Sequence, residues 1–386
     1  MKKIAVFTGT RAEYGLLYWL LREIKASDRL ELQLLVSGLH LSPEYGETWK
    51  QIQAEGFHFD ARVEMLLSSD TAVGVVKSMG LGIIGFADAF DRLRPDLLLV
   101  LGDRFEALAA VEAAMIMRIP VAHLHGGELT EGAYDDAIRH AITKMASLHF
   151  TAAEPYRRRV IQMGEAPELV FNVGALGLER LLRDEPMHAH ELADSIGFEP
   201  GSRYFLVTYH PATAADEDSA KSVGAMLEAL DHFPDYRVIL TYPNADNGGK
   251  GIILIIEEYA ARSAGRAIAV PSLGSRRYLS ALSRAAAIVG NSSSGIIEAP
   301  SLGIPTVNIG TRQLGRLAAA SVIHCGQDSH AILEAIIKAV SPSFSSECRR
   351  VVNPYGQGDA SRKIVRILEA SSLPIQKRFH DLEFRQ

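Results

Sequence analysis

The sequence contains few cysteines and has no excess of basic residues. Its 386 residues include two cysteines, Cys325 and Cys348, which cannot build the disulfide framework of a small secreted domain. Lys and Arg number 40 against 46 Asp and Glu, a net charge of −6. Because phosphate contacts supply most of the affinity for nucleic acids, we expect no nucleic-acid partner.

Long apolar runs are also absent. The first one ends by Thr8, which is too short for a signal peptide, and we expect no run of the roughly 20 apolar residues that span a membrane. The sequence therefore predicts a soluble cytoplasmic protein without membrane attachment.

The length and the order of the apolar runs indicate two α/β domains. A single core stops growing near roughly 250–300 residues, and this chain of 386 residues is longer. Runs that are apolar on both faces are typical of parallel strands covered by crossover helices, and the intervening segments have helical period. A polar stretch at 183–201 separates two such series, which predicts doubly wound domains at 1–185 and 186–365. The predicted strands are residues 4–8, 32–36, 96–101, 121–125, 148–151, 169–173, 204–209, 237–241, 267–270, 287–289, 305–309 and 322–324.

Polar residues are concentrated just after the predicted strands. The carboxyl ends of parallel strands share one edge of a sheet, where ligands bind. Two such edges facing each other would form an interdomain cleft. The runs concerned are Gly9 to Gly15, Gly102 to Glu106, His123 to Glu128, Tyr209 to Pro211, Tyr242 to Asn244, Gly290 to Gly295 and Gly310 to Gln313.

The glycine-containing segments do not match the common nucleotide motifs. The run Gly9 to Gly15 lacks the dinucleotide fingerprint, and Gly248-Gly249-Lys250 lacks the P-loop spacing, so neither NAD nor a Walker-type site is predicted. The first run either binds an anion through its backbone N–H groups and Arg11 or is only a tight strand-to-helix turn.

A serine run has two interpretations. Ser292-Ser293-Ser294-Gly295 offers three hydroxyl groups and backbone N–H groups at a predicted helix start, which suits a diphosphate. The alternative is an ordinary helix cap, for which one serine suffices. The spacing excludes the G-x-S-x-G elbow of serine hydrolases.

Histidines and carboxylates follow the third and fourth predicted strands. His123 and His125 lie two residues apart, so they should share a face of the strand, and with Glu128 they could resemble a metal site. A core histidine is the alternative for at least one of them.

Acidic residues could also provide acid–base chemistry. Asp103, Glu128, Asp135 and Asp136 could raise one another's pKa if they converge. Otherwise the Asp135-Asp136 pair only favours a helix start, where Arg139 could pair with Asp135 or with phosphate.

Together these motifs resemble the hydrolysing UDP-N-acetylglucosamine 2-epimerases, from Gly9-Thr10-Arg11 to Gly310-Thr311-Arg312. The resemblance implies a GT-B-like architecture of two Rossmann-type domains, with a C-terminal segment, residues 366–386, crossing back to the first domain. A helix at residues 360–370, followed by residues 379–386, could supply this crossing. It implies a reaction without metal or cofactor. A base removes the C2 proton of the sugar while UDP leaves C1, and water then adds to the resulting 2-acetamidoglucal, which releases N-acetylmannosamine for sialic or nonulosonic acid synthesis.

The resemblance also implies roles for individual residues. Asp103, Glu128, Asp135 and His210 correspond to catalytic groups. The substrate and UDP would be bound by Arg11, Ala12, Arg104, Arg139, Asn244, Ser292, Ser293, Glu298 and Arg312. Relatives form homodimers or homotetramers through the first domain, so a homo-oligomer is expected, and residues 73–86 could contribute to its interface or form a buried helix.

The first loop favours hydrolysis over simple epimerisation. Leu16 stands where non-hydrolysing relatives have lysine, and His125-Gly126-Gly127-Glu128 replaces their His-Val-Glu-Ala-Gly run. Alternatives remain open: the same reaction on UDP-N,N′-diacetylbacillosamine or a GDP-linked sugar, a GT-B glycosyltransferase, or a non-catalytic sensor of nucleotide sugars.

Overall fold

The computed structural model describes residues 1–67, 69, 71–129, 134–211, 219–243, 249–372 and 376–383. They form two compact units. The first contains residues 1–180 and 355–386, and the second contains residues 181–354.

The first unit is built on a parallel sheet of seven strands in the order β3-β2-β1-β4-β5-β6-β7. This strand order is the Rossmann arrangement, with its switch point between β1 and β4. Its strands are β1 (Lys2–Thr8), β2 (Leu30–Ser37), β3 (Ala61–Val63), β4 (Leu97–Leu101), β5 (Val121–Leu124), β6 (Leu148–Thr151) and β7 (Val170–Asn172).

Helices cover both faces of this sheet, and 3-10 segments at Gly38–Leu41, Pro43–Tyr45 and Pro167–Leu169 complete the unit. The helices are α1 (Arg11–Lys25), α2 (Trp49–Ala54), α3 (Ala72–Leu93), α4 (Phe105–Ile116), α5 (Tyr134–Met145), α6 (Glu154–Gln162) and α7 (Gly177–Arg183), the last of which extends past the division at residue 180.

The second unit repeats the arrangement with six parallel strands in the order β10-β9-β8-β11-β12-β13. Its strands are β8 (Tyr204–Thr208), β9 (Arg237–Thr241), β10 (Ala267–Val270), β11 (Ala287–Gly290), β12 (Thr306–Ile309) and β13 (Val322–Cys325). Its helices are α8 (Ala189–Ile196), α9 (Ser219–Asp231), α10 (Gly249–Arg262), α11 (Gly274–Leu282), α12 (Ser294–Ile297), α13 (Ser329–Ala339) and α14 (Pro342–Cys348), with a 3-10 segment at Ala299–Leu302.

The C-terminal part of the chain belongs to the first unit. Helix α15 (Ala360–Ala370) buries Ile364 and Leu368 in the same core cluster as β1 and α1. At its start, the Ser361 N–H donates to the fully buried Glu179 carboxylate at 3.0 Å. The sequence prediction placed residues 355–365 in the second domain, whereas the structure groups them with the first, because α15 completes the core of that unit.

Helix α3 differs from the prediction that no long apolar segment exists. The helix has 22 residues, and an 18-residue stretch of it has a mean hydropathy of 1.5, so by length and composition alone it could span a membrane. Its inner face packs closely on neighbouring elements, since a Cβ at Gly82 would lie 3.3 Å from Ala109 of α4. Its outer face exposes Val73, Val76, Leu81 and Ile84.

Candidate active site

The predicted acidic residues of the first unit follow β4 and β5 or open α5, and Arg139 connects their segments. Its side chain, which is largely buried, forms an ion pair with Asp103 of the loop after β4. It also donates to the backbone carbonyl of Glu128 at 2.8 Å and lies 3.3 Å from the Asp136 carboxylate. Because guanidinium N–H groups form a fixed fork, one side chain can fix three segments at the carboxyl edge of the sheet. Arg139, predicted to bind substrate, is therefore engaged by the protein's own carboxylates.

Asp135 lies within the electrostatic reach of this cluster. Burial raises the pKa of Asp135, and the charge of Asp103 raises it further, while Arg104 and Arg139 oppose the shift. A carboxyl group with a raised pKa retains its proton closer to neutral pH and can act as an acid. Burial is thus the main cause of the raised pKa of Asp135, and the repulsion by Asp103 that the sequence analysis expected adds to it.

Glu128 is oriented by His125, a contact that the sequence analysis did not predict. The His125 Nδ1 atom lies 3.0 Å from the Glu128 carboxylate, and its Nε2 atom accepts from the Leu176 backbone N–H at 3.5 Å. An accepting Nε2 leaves Nδ1 as the protonated nitrogen, which donates to Glu128.

The prediction that His123 and His125 share one face of a strand is wrong. Strand β5 ends at Leu124, and His125 adopts a left-handed conformation with φ 63°. His123 is fully buried, with Nε2 2.8 Å from the Gly102 carbonyl and Nδ1 3.0 Å from the Thr143 hydroxyl. Burial lowers the pKa of His123 to about 3, so it is the neutral core histidine of the two alternatives.

Arg104 has an internal partner, which the sequence analysis missed. Its guanidinium donates to both oxygens of the Glu106 carboxylate, at 3.0 and 2.7 Å, and Glu106 is fully buried. A bidentate pair of this kind fixes the arginine in one orientation. The two-residue spacing of Arg104 and Glu106 gives little signal in sequence, because neither strand nor helix periodicity predicts a contact across a strand-to-helix turn.

The first loop is bonded to a buried carboxyl group of its own, that of Glu13. The Gly9 N–H donates to the Glu13 carboxylate at 2.8 Å, and the Thr10 hydroxyl accepts from the Glu13 N–H at 3.2 Å. Burial raises the pKa of Glu13 to about 7, and the Gly9 hydrogen bond opposes that shift. Glu13 thus occupies one of the backbone N–H groups that could bind an external anion, that of Gly9, while Arg11 and Ala12 are exposed on the first turn of α1.

In the second unit, Asn291 connects three of the segments that follow strands. Its side chain accepts from the His210 N–H at 2.7 Å and donates to the His210 carbonyl at 2.8 Å. Its own carbonyl accepts from Arg312 at 3.1 Å and from Gln313 at 2.8 Å. The predicted residues His210 and Arg312 are therefore brought together by a residue that the sequence analysis did not select.

The serine run does not open a long helix. Helix α12 has four residues, and Pro300 lies in the 3-10 segment that follows it. Within the run, the N–H groups of Ser294 and Gly295 donate to the Ser292 hydroxyl and carbonyl, at 3.4 and 3.2 Å. The prediction of open backbone N–H groups is wrong for these amides, because the short turn uses them internally.

Buried polar atoms near the serine run suit a ligand that carries hydroxyl groups. The Ser294 hydroxyl, one oxygen of Glu298 and the Tyr278 hydroxyl are buried without a hydrogen bond of good geometry among the described residues. Burial raises the pKa of Glu298 to about 7 and that of Tyr278 to about 12. Tyr278 was not predicted, since an isolated tyrosine on α11 carries no motif. Asn244 lies outside the described residues.

With this geometry in place, comparison with known proteins identifies the family. The family model described as UDP-N-acetylglucosamine 2-epimerase matches residues 22–369. The chain belongs to the UDP-N-acetylglucosamine 2-epimerase family.

Its relatives include the GDP/UDP-N,N′-diacetylbacillosamine 2-epimerase (hydrolyzing) of Campylobacter jejuni, 40% identical over 83% of this chain and 84% of the relative. The polysialic acid biosynthesis protein P7 of Escherichia coli is 36% identical over 96% of this chain and 94% of that protein.

The structural comparison confirms the predicted fold class. The crystal structure of UDP-GlcNAc 2-epimerase from Neisseria meningitidis bound to UDP-GlcNAc has a TM-score of 0.78 at 20% identity. The match covers 95% of this epimerase and 99% of that chain. The protein is an α/β enzyme with two parallel sheets of GT-B-like architecture.

Proposed function

We propose that the protein is a hydrolysing 2-epimerase that converts a UDP-linked N-acetylhexosamine and water to UDP and the free 2-epimer. With UDP-N-acetylglucosamine as substrate, the product is N-acetylmannosamine. The observation that carries this proposal is the carboxylate cluster at the edge of the first sheet, where Arg139 pairs with Asp103 and fixes the segment of Glu128.

The proposed chemistry uses these carboxylates for proton transfer at carbon. One carboxylate removes the weakly acidic C2 proton while the C1–O bond to UDP breaks, which gives a 2-acetamidoglucal. Water then adds at C1, and a proton returns to C2 on the opposite face. Asp135 suits the acid role because burial and the neighbouring Asp103 raise its pKa. Glu128, oriented by the hydrogen bond that it accepts from His125 Nδ1, suits the base role.

Binding of UDP is assigned to the second unit together with Arg11, Ala12 and Arg104. Arg312 and His210, held by Asn291, provide donors that stabilise the leaving diphosphate. The buried oxygen of Glu298 suits the ribose hydroxyl groups as an acceptor, with Ser292 and Ser293 beside the phosphates. Asn244 is proposed for the nucleotide pocket on the resemblance alone.

Water as the final acceptor is supported by the first loop and by relatives. Leu16 occupies the position of the lysine of non-hydrolysing relatives. The names of the Campylobacter jejuni relative and of a Legionella pneumophila relative, 34% identical over 97% of this chain, both specify hydrolysis. Both names also specify diacetylbacillosamine, so a UDP- or GDP-linked form of this sugar is the second candidate substrate.

The reaction is tested by proton NMR in D2O. Incubation with UDP-N-acetylglucosamine or UDP-N,N′-diacetylbacillosamine should release the free 2-epimer with deuterium at C2. Transfer of the sugar with its C2 proton retained would instead identify a glycosyltransferase, and an unchanged donor would identify a binding protein. The variant Asp103→Asn should bind UDP normally in calorimetry and lose turnover by at least 100-fold. Loss of UDP binding in this variant would contradict a catalytic role for Asp103.

We also propose that the protein is a homo-oligomer in which the outer face of α3 is buried. Val76 and Ile84 on this face are 67% and 64% exposed, which is unusual for side chains of their size. An interface with a second copy would remove this apolar surface from water.

A further inference from the structure

One buried histidine contacts the segments that carry the predicted carboxylates. His123 on β5 is fully buried, so it has no direct part in the proposed proton transfer. Its Nε2 atom lies 2.8 Å from the carbonyl of Gly102, the residue before Asp103. Its Nδ1 atom lies 3.0 Å from the hydroxyl of Thr143, which follows Arg139 by one turn of α5.

The third segment at this histidine is the loop after β5, which carries Glu128. A Cβ atom at Gly126 in this loop would lie 3.0 Å from both the His123 Nδ1 atom and the Thr143 Oγ1 atom, closer than most real Cβ contacts. The backbone of the loop therefore packs directly on these two side chains. The segments of all three predicted carboxylates meet at this pair.

The hydrogen bonds of His123 determine its tautomer. A backbone carbonyl can only accept, so Nε2 carries the proton and donates it to Gly102. Burial lowers the pKa of His123 to about 3, so the ring is neutral and Nδ1 accepts the hydroxyl proton of Thr143. The same hydroxyl oxygen lies 3.0 Å from the Arg139 carbonyl, which has the helical N–H of Thr143 as its donor.

The bond to the Gly102 carbonyl acts on the backbone of Asp103. Gly102 has φ 75°, so the chain turns sharply just after β4. Because a peptide unit is planar, a hydrogen bond to the Gly102 carbonyl also fixes the direction in which the chain enters Asp103. The Asp103 carboxylate is paired with Arg139, so His123 and Arg139 together fix its backbone and its side chain. A shift of about 1 Å in a reacting group can lower a rate about 100-fold.

We propose that His123 is a positioning residue for the proton transfer at C2, because it holds the peptide that joins Gly102 to Asp103 and the turn of α5 that bears Arg139. This inference rests on the proposed function, since it concerns the geometry of the carboxylates that carry out that reaction. It predicts that loss of the Nε2 donor lowers kcat and leaves KM unchanged, because the interaction acts on the reacting groups. The affinity for UDP should also be unchanged, since most of the proposed UDP-binding residues are in the second unit.

Two substitutions separate the two hydrogen bonds of the imidazole. The amide of glutamine reaches the place of Nε2 and can donate to the Gly102 carbonyl, whereas the shorter asparagine reaches only the place of Nδ1. We expect His123→Asn to lower kcat by about 10- to 100-fold, and His123→Gln to restore it to within about fivefold of wild type. Thr143→Val, which keeps the side-chain volume and removes the donor to Nδ1, should lower kcat by about 3- to 10-fold.

The matched control is His40→Asn in the same unit. His40 is also fully buried, and its ring nitrogens lie 3.0 and 2.7 Å from the hydroxyl oxygens of Thr8 and Thr48. These partners lie at the end of β1 and just before α2, outside the three segments that meet at His123. His40→Asn should therefore lower the Tm about as much as His123→Asn does and retain kcat. The stoichiometry of UDP binding in calorimetry counts the folded molecules, and kcat is expressed per binding site.

The outcomes separate this inference from the proposed function. Equal kcat per UDP-binding site in His123→Asn and His40→Asn would overturn the positioning role, as would equal losses in His123→Asn and His123→Gln. If His123→Asn does not fold, an unchanged kcat in Thr143→Val would overturn it. Weaker UDP binding with unchanged kcat would show that His123 supports the nucleotide site instead. Failure of the wild-type protein to exchange C2 hydrogen on either sugar would contradict the proposed function itself.

Discussion

Replacement of Lys377 by Met should destabilise the first unit by removing one of three cationic or donor groups around buried Glu165. The Glu165 carboxylate lies 2.6 Å from the Lys144 Nζ atom, 2.8 Å from that of Lys377 and 3.0 Å from His149 Nε2. Lys377 also donates to the Ala146 carbonyl, just past the end of α5, at 2.7 Å. It thus attaches the C-terminal segment 376–383 to the helix that carries Asp135.

The magnitude follows from the pKa of Glu165. Burial alone would raise this pKa, but hydrogen bonds from His149, Lys144 and Lys377 lower it to about 2. Against an unfolded value near 4.3, this net shift, which already includes the opposing effect of burial, corresponds to about 3 kcal/mol of stabilisation by ionised Glu165. Loss of Lys377 also removes its bond to Ala146, so we expect Lys377→Met to lower the free energy of unfolding by about 2 kcal/mol at pH 7.

The pH dependence gives a second check. A carboxylate with a lowered folded-state pKa stabilises the protein above its unfolded pKa, and this stability is lost as the pH falls toward the folded value. The difference between wild type and Lys377→Met should therefore shrink between about pH 4.3 and pH 2.

Urea denaturation followed by tryptophan fluorescence measures this effect in the first unit, since both tryptophans, Trp19 and Trp49, lie there. Lys377→Arg should retain most of the stability. Lys363→Met, which removes an exposed ion pair with Asp359, should cost less than about 1 kcal/mol. If Lys377→Met is no more destabilising than Lys363→Met, the reasoning about Glu165 is refuted.

Three further substitutions test the second unit and the assembly. Asn291→Ala removes both hydrogen bonds to the His210 backbone and should weaken UDP binding in calorimetry by about 10- to 30-fold, whereas exposed Asn172→Ala should have no effect. Gly290→Ala should destabilise the second unit by about 3 kcal/mol in thermal unfolding, because φ at this residue is 136° and a Cβ atom would lie 2.0 Å from the Thr208 carbonyl oxygen. The control Gly224→Ala on α9 should be neutral or stabilising, because a Cβ atom there would have no neighbouring atom within 4 Å. Ile84→Glu should reduce the molar mass in light scattering, and a wild-type monomer would contradict the proposed oligomer.

Long apolar strands were predictable from sequence because burial on both faces leaves a continuous run. Strand β9 (Arg237–Thr241) and strand β10 (Ala267–Val270) have the predicted bounds. Strand β3 was missed, because Ala61, Arg62 and Val63 are too few to show a period. Helix α15 (Ala360–Ala370) matches the segment that the resemblance implied would cross back to the first domain, but the predicted domain boundary at residue 365 divides it, since an amphipathic helix shows a buried face but not which core covers it.

The candidate site was predictable to the level of residue type and approximate place. Parallel strands bring their carboxyl ends to one edge, so residues after β4 and β5 were expected near one another. The ion pair between Asp103 and Arg139 was not predicted, because the helical spacing favoured Asp135 as the partner of Arg139. The pairings of Arg104 with Glu106 and of Gly9 with Glu13 were not predictable, because they depend on the local path of each turn.

The sequence by itself determined the alternation of strands and helices, because the periodicity of apolar residues encodes which faces are buried. It also placed acidic and basic residues at the strand ends, and the resemblance of their motifs to the 2-epimerase family implied chemistry at carbon beside a nucleotide. Only the tertiary structure decided which of these charges are engaged internally. A guanidinium or carboxylate is the same group whether it binds a ligand or pairs within the protein. Its internal partners come from segments distant in sequence, so the sequence alone does not identify them. His123 became a neutral core residue and His125 an orienting group for Glu128 because β5 ends between them at Leu124.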